Sequence, residues 1–443
     1  MYAPAGRPQD IKALFWIMVL ACILRCTMLY INMQRHPSFF TPSFATLLQR
    51  SNAENKPYMN PFGYEISNIA YSIVCKHEGF SNPFGGSTGP TGWVAPGMVF
   101  LYVLSFKLFG CFTTSSILFM FGFSIGLSLL IILLIYAASK HLRQRPSVCL
   151  IAALLYACCP QELMSLLYPH QTDFNVPTFW FILTFYLFLR MTNSCRARDR
   201  YLFAIATGIA LLFTPVMALP VALCIIEYAV RCQKRLPVLV RELLVCSLVI
   251  TIVVASYMVF QKNRLGHWFF IKSNGPFEIA LGNNPEYNGV LVYDLFQKHH
   301  PGSNPEEFAA YRSMGEISYI KDRFKNFARC FDLENFLFLT AKRFMYFFFI
   351  LEPYIEPERF QTWRLIAEYI GYAIPGLSLL MYLFFRHRTM QWQDYFIYGY
   401  ILSYAFPYLF AGIMYRYAYP ISSLSTVLLA ALVCSGQCCK RIV

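Results

Sequence analysis

The sequence predicts an all-α polytopic transmembrane protein of about ten spans. Three observations carry this. Of its 443 residues 57% are hydrophobic and only 14% charged, whereas a soluble globular chain is about a quarter charged. Mean hydropathy is positive, at +0.45. Apolar runs of the length that crosses a bilayer recur along the chain. Together these exclude a soluble enzyme and a disordered chain. They also exclude nucleic acid as the partner that a formal charge of +14 would otherwise suggest.

The spans follow from hydropathy and charge taken together. They run near residues 11–31, 113–138, 147–167, 174–190, 201–214, 216–230, 239–260, 365–386, 394–411 and 420–434. Lys and Arg gather in alternate gaps: at Lys12, at Lys140 to Arg145, at Arg190 to Arg200, at Arg231 to Arg241, at Arg386 and Arg388, and at Lys440 and Arg441. The positive-inside rule makes those gaps cytoplasmic, and both termini with them. They carry nearly all the net charge, which is therefore topological. The stretch 201–230 has basic flanks on both sides and so needs an even number of crossings. Proline disfavours helix at the residue before it, so Thr214-Pro215 and Leu219-Pro220 predict a tight hairpin of two short spans. The first helix is expected to be retained, because Arg25 interrupts its apolar run and no small-residue cleavage site follows.

One transmembrane domain over 1–443 is expected, with two long outer segments, 32–112 and 261–364. The first predicts a helix from Glu65 to about Lys76, then a turn-rich passage over Gly79 to Pro96. From Gly97 to Phe109 the spacing suits a helix in the interface plane, with Trp93 and Tyr102 as anchors. The second has turn chemistry at Ser273-Asn274-Gly275 and Gly282-Asn283-Asn284-Pro285. A helix is expected from about Glu306 to Arg329. The Phe-rich run 336–350 reads as an interfacial or re-entrant helix. Most of the fifteen cysteines lie inside spans, where Cys behaves as a small apolar residue. Cys75 and Cys330 are both outer and able to pair. No Cys/His spacing indicates a metal, and no cofactor is expected.

Chemistry is therefore sought on the outer side. Glu65, near the membrane and partly desolvated, suits a general base, or is a solvated glutamate favoured by a helix N-terminus. Asp173, just before the fourth span, is either a functional acid facing a polar cavity or a helix cap. His170 beside it reads as a surface histidine. Lys272 and Arg416 are outer cations, and a guanidinium can grip phosphate with two N–H groups or reach ordinary headgroups. Arg25 is either the partner of an intramembrane acid or a headgroup anchor, while Glu162 and Glu227 read as span-end residues. Phosphate-binding loops, dinucleotide fingerprints, HExxH and nucleophile elbows are absent from the sequence.

Several segments resemble one family. They are Gly63-Tyr64-Glu65-Ile66, Gly79-Phe80-Ser81-Asn82-Pro83-Phe84, Thr88-Gly89-Pro90-Thr91, Phe106-Lys107-Leu108-Phe109-Gly110, Lys272-Ser273-Asn274-Gly275, Leu281-Gly282-Asn283-Asn284-Pro285, Gly315-Glu316-Ile317-Ser318-Tyr319 and Tyr415-Arg416-Tyr417 with Tyr419-Pro420. In this order and topology the chain is similar to the GT-C class of membrane glycosyltransferases. It resembles the protein O-mannosyltransferase and lipid A aminoarabinose transferase branch and its bacterial relatives. The resemblance implies inverting transfer of a sugar from a polyprenyl-phosphate-linked donor. The acceptor would be a hydroxyl on a glycan, lipid or protein, and the site would face outward from a bacterial inner membrane. It implies Glu65 and Asp173 as catalytic acids, Lys272 and Arg416 on the donor phosphate, and Asn274, Asn283, Asn284 and His170 as substrate-binding. Many members carry Asp-Glu in the first loop, and here Tyr64 takes the Asp position. The Asp-x-Asp of oligosaccharyltransferases is absent, so block transfer to asparagine is not expected. The alternatives are a transporter or flippase of lipid-linked sugars, or an inactive member of the fold.

Overall fold

The computed structural model describes residues 8–40, 64–142, 144–167, 175–194, 196–231, 236–286, 289–349 and 362–435. Among them the regular structure is helical, and strand-like pairing is confined to two isolated bridges, Ser81 with Pro90 and Val290 with Ile413. In lipid a backbone must satisfy its polar groups internally, and helices do so. Five helical stretches are long and apolar enough to cross a membrane: Pro8–Arg35, Thr114–His141, Pro146–Ser165, Leu236–Leu265 and Arg416–Ser435. The chain is an integral membrane protein.

Each expected span is occupied by helix. In chain order, α1 is Pro8–Arg35, α2 and α3, in the first long hydrophilic segment, are Tyr64–Val74 and Pro96–Phe109, and α4 is Thr114–His141. The third span is α5, Pro146–Ala157, continued after a break by α6, Pro160–Ser165. Then come α7, Asn175–Ser194, α8, Ala197–Phe213, α9, Ala218–Arg231, and α10, Leu236–Leu265. The second outer segment holds α11, Gly275–Gly282, α12, Tyr293–His299, α13, Pro305–Met314, α14, Glu316–Arg329, and α15, Leu333–Phe348. The last spans are α16, Thr362–Arg386, α17, Trp392–Ala405, and α18, Tyr419–Ser435.

The basic gaps meet at one end of the bundle. Arg190 pairs with Asp199 at 2.7 Å and Arg200 with Glu242 at 3.1 Å. Asn193 donates to the carbonyl of His141 at 3.1 Å. The Arg231 guanidinium lies 3.3 Å above the Trp392 ring, so the end of α9 meets the start of α17 at this same charged end. The 201–230 stretch does break at Thr214-Pro215, through a short 3-10 turn over Pro215–Met217. Its two helices then part, however. α8 packs between α7 and α10, while α9 turns to α17, so the tight hairpin is opened by partners on either side. Gly208 allows the close approach of α8, since a Cβ there would sit 2.9 Å from Val253.

Arg25 is fully buried and takes the first of its two expected roles. Its Nε donates to Ser128 at 2.5 Å and its Nη1 to the carbonyls of Ala157 at 3.0 Å and Ala21 at 3.2 Å. Nη2 stands 3.9 Å from Glu162, which also accepts from Tyr156 at 3.2 Å. Glu162 is thus a buried counter-ion rather than a span-end residue. Neither charge is tolerable alone at this depth. Glu227 pairs one turn along its own helix with Arg231.

Three expectations for the outer segments change. Trp93 and Tyr102 do not anchor in the interface: both are buried, Trp93 among Phe84, Phe277 and Tyr311. The helix α3 instead turns Phe100, Leu104 and Leu108 outward, one stripe at i, i+4, i+8. The expected helix over 306–329 is two helices, broken where Gly315 adopts φ +76, a conformation that glycine adopts without steric penalty. Cys75 is bonded to Cys111, tying the end of α2 to the turn before α4, and Cys330 is free and exposed.

The helix α15 divides its faces. Leu333, Leu337 and Phe338 are exposed, while Arg343 is fully buried. Arg343 donates to the carbonyl of Gly282 at 2.5 Å, to Asn283 Oδ1 at 2.7 Å, to the carbonyl of Leu409 at 2.9 Å and to that of Gly289 at 3.3 Å. It binds α15 to the end of α11 and to the loop before α18. That loop lies so close to α11 that a Cβ on Gly282 would strike the Gly412 backbone.

Candidate active site

Glu65 stands in the first turn of α2, where the helix dipole favours a carboxylate. Its Oε1 accepts from Trp93 Nε1 at 3.0 Å and faces His300 Nε2 at 3.5 Å. Among the described residues Oε2 accepts no hydrogen bond, and 24% of the side chain remains accessible. One oxygen is therefore held from behind and the other faces outward. His300 is ringed by Phe84, Trp93, Phe277 and Phe296, and this burial pushes its pKa down to about 3. Its Nδ1 accepts from the Gly302 N–H at 3.2 Å, which leaves the proton of the neutral ring on Nε2, directed at Glu65.

The Glu65 carboxyl is raised from the usual 4.5 to about 7, chiefly by burial and then by the neighbouring Glu278 charge. Arg416, the Trp93 hydrogen bond and Lys272 act against that rise. Glu278, on α11, is likewise raised by burial and opposed by Lys272 and Arg416. Two acids and two cations drawn from three distant parts of the sequence thus lie within electrostatic reach of one another. A carboxyl titrating near neutrality is matched to proton abstraction.

Lys272 is placed by a second buried acid. Glu316, at the start of α14, accepts from Thr91 Oγ1, from the Gly92 N–H at 2.8 Å, from Ser273 Oγ at 2.6 Å and from Tyr311 at 2.7 Å. The Ser273 N–H also donates to the Gly92 carbonyl at 2.8 Å. Three of the family-like segments therefore converge on one carboxyl. The residue before Lys272, Ile271, is fully buried with φ +62, a strained backbone for a β-branched side chain. Arg416 is brought in by pairing of the preceding loop with α11: the Gly412 N–H donates to the Glu278 carbonyl at 3.2 Å.

The structure brings together Glu65, Lys272 and Arg416. Asn274 joins them, donating to Glu278 at 3.0 Å. Asn283 does not face this group. Its Oδ1 accepts from Arg343, and its Nδ2 donates to the carbonyls of Ile279 at 2.7 Å and Phe410 at 2.9 Å, so it serves the scaffold. Asn284 lies 3.2 Å from His299 and caps Glu286. Asp173 and His170 lie outside the described residues. The sequence reading missed Glu278 and His300 and gave Trp93 another role. Among the described residues no three His, Cys, Asp or Glu side chains cluster as metal ligands.

By sequence, neither a protein-family profile nor a curated protein matches the chain. By structure it is similar to the apo oligosaccharyltransferase of Archaeoglobus fulgidus, with a TM-score of 0.53 at 13% identity over 95% of this chain and 50% of that one. The chain has the GT-C fold. The same archaeal enzyme tethered to an acceptor peptide containing the NVT sequon matches with a TM-score of 0.51 at 12% identity, over 95% of this chain and 49% of that one. ArnT from Cupriavidus metallidurans bound to undecaprenyl phosphate matches with 0.40 at 13% identity, over 89% and 78%. This GT-C chain spans about half the length of the archaeal enzyme.

Proposed function

We propose that the protein transfers a sugar from a polyprenyl-phosphate-linked donor to a hydroxyl acceptor, with inversion, on the extracytoplasmic side of the membrane. The observation that supports this best is the pairing of an outward-facing carboxyl titrating near neutrality with two cations beside it. In this reading Glu65 Oε2 takes the acceptor hydroxyl proton as that oxygen attacks the anomeric carbon. The bond from that carbon to the phosphate oxygen breaks, and its electron pair leaves with the phosphate. Lys272 and Arg416 hold the charge that develops there, a fixed electrostatic contribution of the kind that dominates many catalysed group transfers. Phosphate is already a good leaving group, so no strong general acid is required.

The protein does not titrate alone in this scheme. Trp93 and His300 fix one oxygen of Glu65, and Glu278 keeps its proton affinity high. Asp173, the second acid that the resemblance implies, would orient the acceptor. The lipid would enter sideways from the bilayer past the exposed apolar face of α15.

Native mass spectrometry of protein purified in lipid nanodiscs tests the donor class. Added polyprenyl phosphate is expected to bind the wild-type protein and to bind the Lys272→Ala/Arg416→Ala double variant far more weakly. Equal binding by both would remove the phosphate-holding role. No binding to the wild-type protein would remove the donor class itself.

A further inference from the structure

A cavity of about 310 Å³ lies beside the site and has no part in the chemistry above. Phe277 is the shared wall. Its ring packs 5.0 Å from Trp93, whose indole holds Glu65, and it also lines the cavity. The intervening α11 has eight residues, about 12 Å of helix, with Glu278 in its first turn and Asn283 just beyond its end.

The lining limits what the cavity accepts. Phe277, Phe327 and Phe336 supply ring faces. Between them stand Glu307, Arg323, Asp332 and Asn335, too polar a wall for an acyl chain. An anion is disfavoured as well. The lining holds two carboxylates, Glu307 and Asp332, against one guanidinium, and that guanidinium already donates to Glu307 at 2.9 and 3.0 Å. A neutral polyol fits both features. Its C–H faces pack on aromatic rings, and its hydroxyls donate to carboxylates and exchange bonds with amides.

We infer that this cavity seats a neutral sugar unit of the acceptor glycan, one that is held but not modified. The inference rests on the transferase reading. The donor phosphate is assigned to Lys272 and Arg416 beside Glu65, whereas an acceptor oligosaccharide reaching Glu65 can extend past Phe277 into the cavity. Binding at a non-reacting unit supplies affinity that positions the reacting hydroxyl.

Cys330 is free, exposed and part of the lining, so it reports occupancy. The experiment alkylates the full chain in nanodiscs, free of glycoside detergents, with N-ethylmaleimide. The rate at Cys330 is read by peptide mass spectrometry, with added free glutathione as internal reference. The probes are neutral mono-, di- and trisaccharides of glucose, galactose, mannose and N-acetylglucosamine. At concentrations above the dissociation constant, one class is expected to slow Cys330 by about threefold or more. Glutathione should be unchanged, and the slowing should vanish in Asn335→Leu. No slowing by any probe, equal slowing of glutathione, or slowing that survives Asn335→Leu would each overturn the inference. Because Cys330 is read without donor or turnover, these outcomes are separate from polyprenyl-phosphate binding, on which the transferase reading stands or falls.

Discussion

Two places in this molecule bring carboxylates and cations together, and they are built to opposite ends. Within the bundle, Arg25 and Glu162 are both buried and face each other, with Ser128, Tyr156 and two backbone carbonyls completing the set. In the outer region Glu65 keeps one oxygen outward and a quarter of its surface accessible, while Glu278, Lys272 and Arg416 stand near without closing on it. The inner pair is a closed account of charge and holds helices together. The outer group keeps part of the Glu65 side chain accessible, which the proposed reaction would use. Burial alone thus does not separate the two acids. What distinguishes Glu65 is that part of its side chain stays accessible.

The sharpest test of that contrast is Glu65→Gln. Sugar transfer is expected to fall by about 10²–10⁴-fold, the range for losing a general base, with the thermal unfolding midpoint in detergent unchanged at acidic pH, where the wild-type carboxyl is protonated. Retained turnover in a folded variant would transfer the base role elsewhere. Arg25→Ala should do the reverse. It strands Glu162 in the bundle and is expected to cost about 3–5 kcal/mol of stability, read as a lower midpoint. The paired change Arg25→Met with Glu162→Leu should recover most of that loss, because no buried charge is left unmatched.

The pH dependence should separate the two places as well. With its carboxyl raised to about 7, Glu65 is protonated and inactive as a base below that value. Transfer is expected to rise about tenfold per pH unit below 7 and to level above it. The same shift has a stability sign. A carboxyl raised in the folded state favours folding fully below its usual 4.5, and this contribution is lost as pH rises through about 7. Wild type should lose stability from pH 6 to 8, and Glu65→Gln should lose less. The smallest effect belongs to Glu278→Gln. Removing a like charge should move the rate inflection to lower pH, leaving the plateau nearly intact and the rate at pH 6 a few-fold higher. An inflection unmoved by this change would show that Glu278 does not act on Glu65.

The bundle was legible because hydropathy and the alternation of basic gaps are local properties. Arg190 with Asp199, and Arg231 over Trp392, gather those gaps at one end as the parity of the spans requires. The site was legible only in part. Glu65, Lys272 and Arg416 stand out as outer charges, but their companions are recognised through distant pairings. His300 meets Glu65 across 235 positions and Glu316 meets Thr91 across 225, and no periodicity records such contacts. Trp93 illustrates a different limit. A ring with an apolar body and one N–H suits both a lipid interface and a buried carboxylate, so its type does not choose between them. Asn283 shows a related limit: turn-forming asparagines and ligand-binding ones look alike in sequence, and here the residue both accepts from Arg343 and lines the neighbouring cavity.

The Glu316 carboxyl also fixes an order of manufacture. Its donors come from Thr91, Gly92, Ser273 and Tyr311, so the first outer segment cannot be locked until the second has been synthesised and carried across. At roughly 5–20 residues per second, Glu65 emerges from the ribosome on the order of tens of seconds before Glu316 does. During that interval the nascent chain already carries Glu65, yet lacks the clasp that holds Ser273, and with it Lys272, against the first segment. Translation stalled before residue 316 would leave that clasp unmade, and Arg416 joins the group later still.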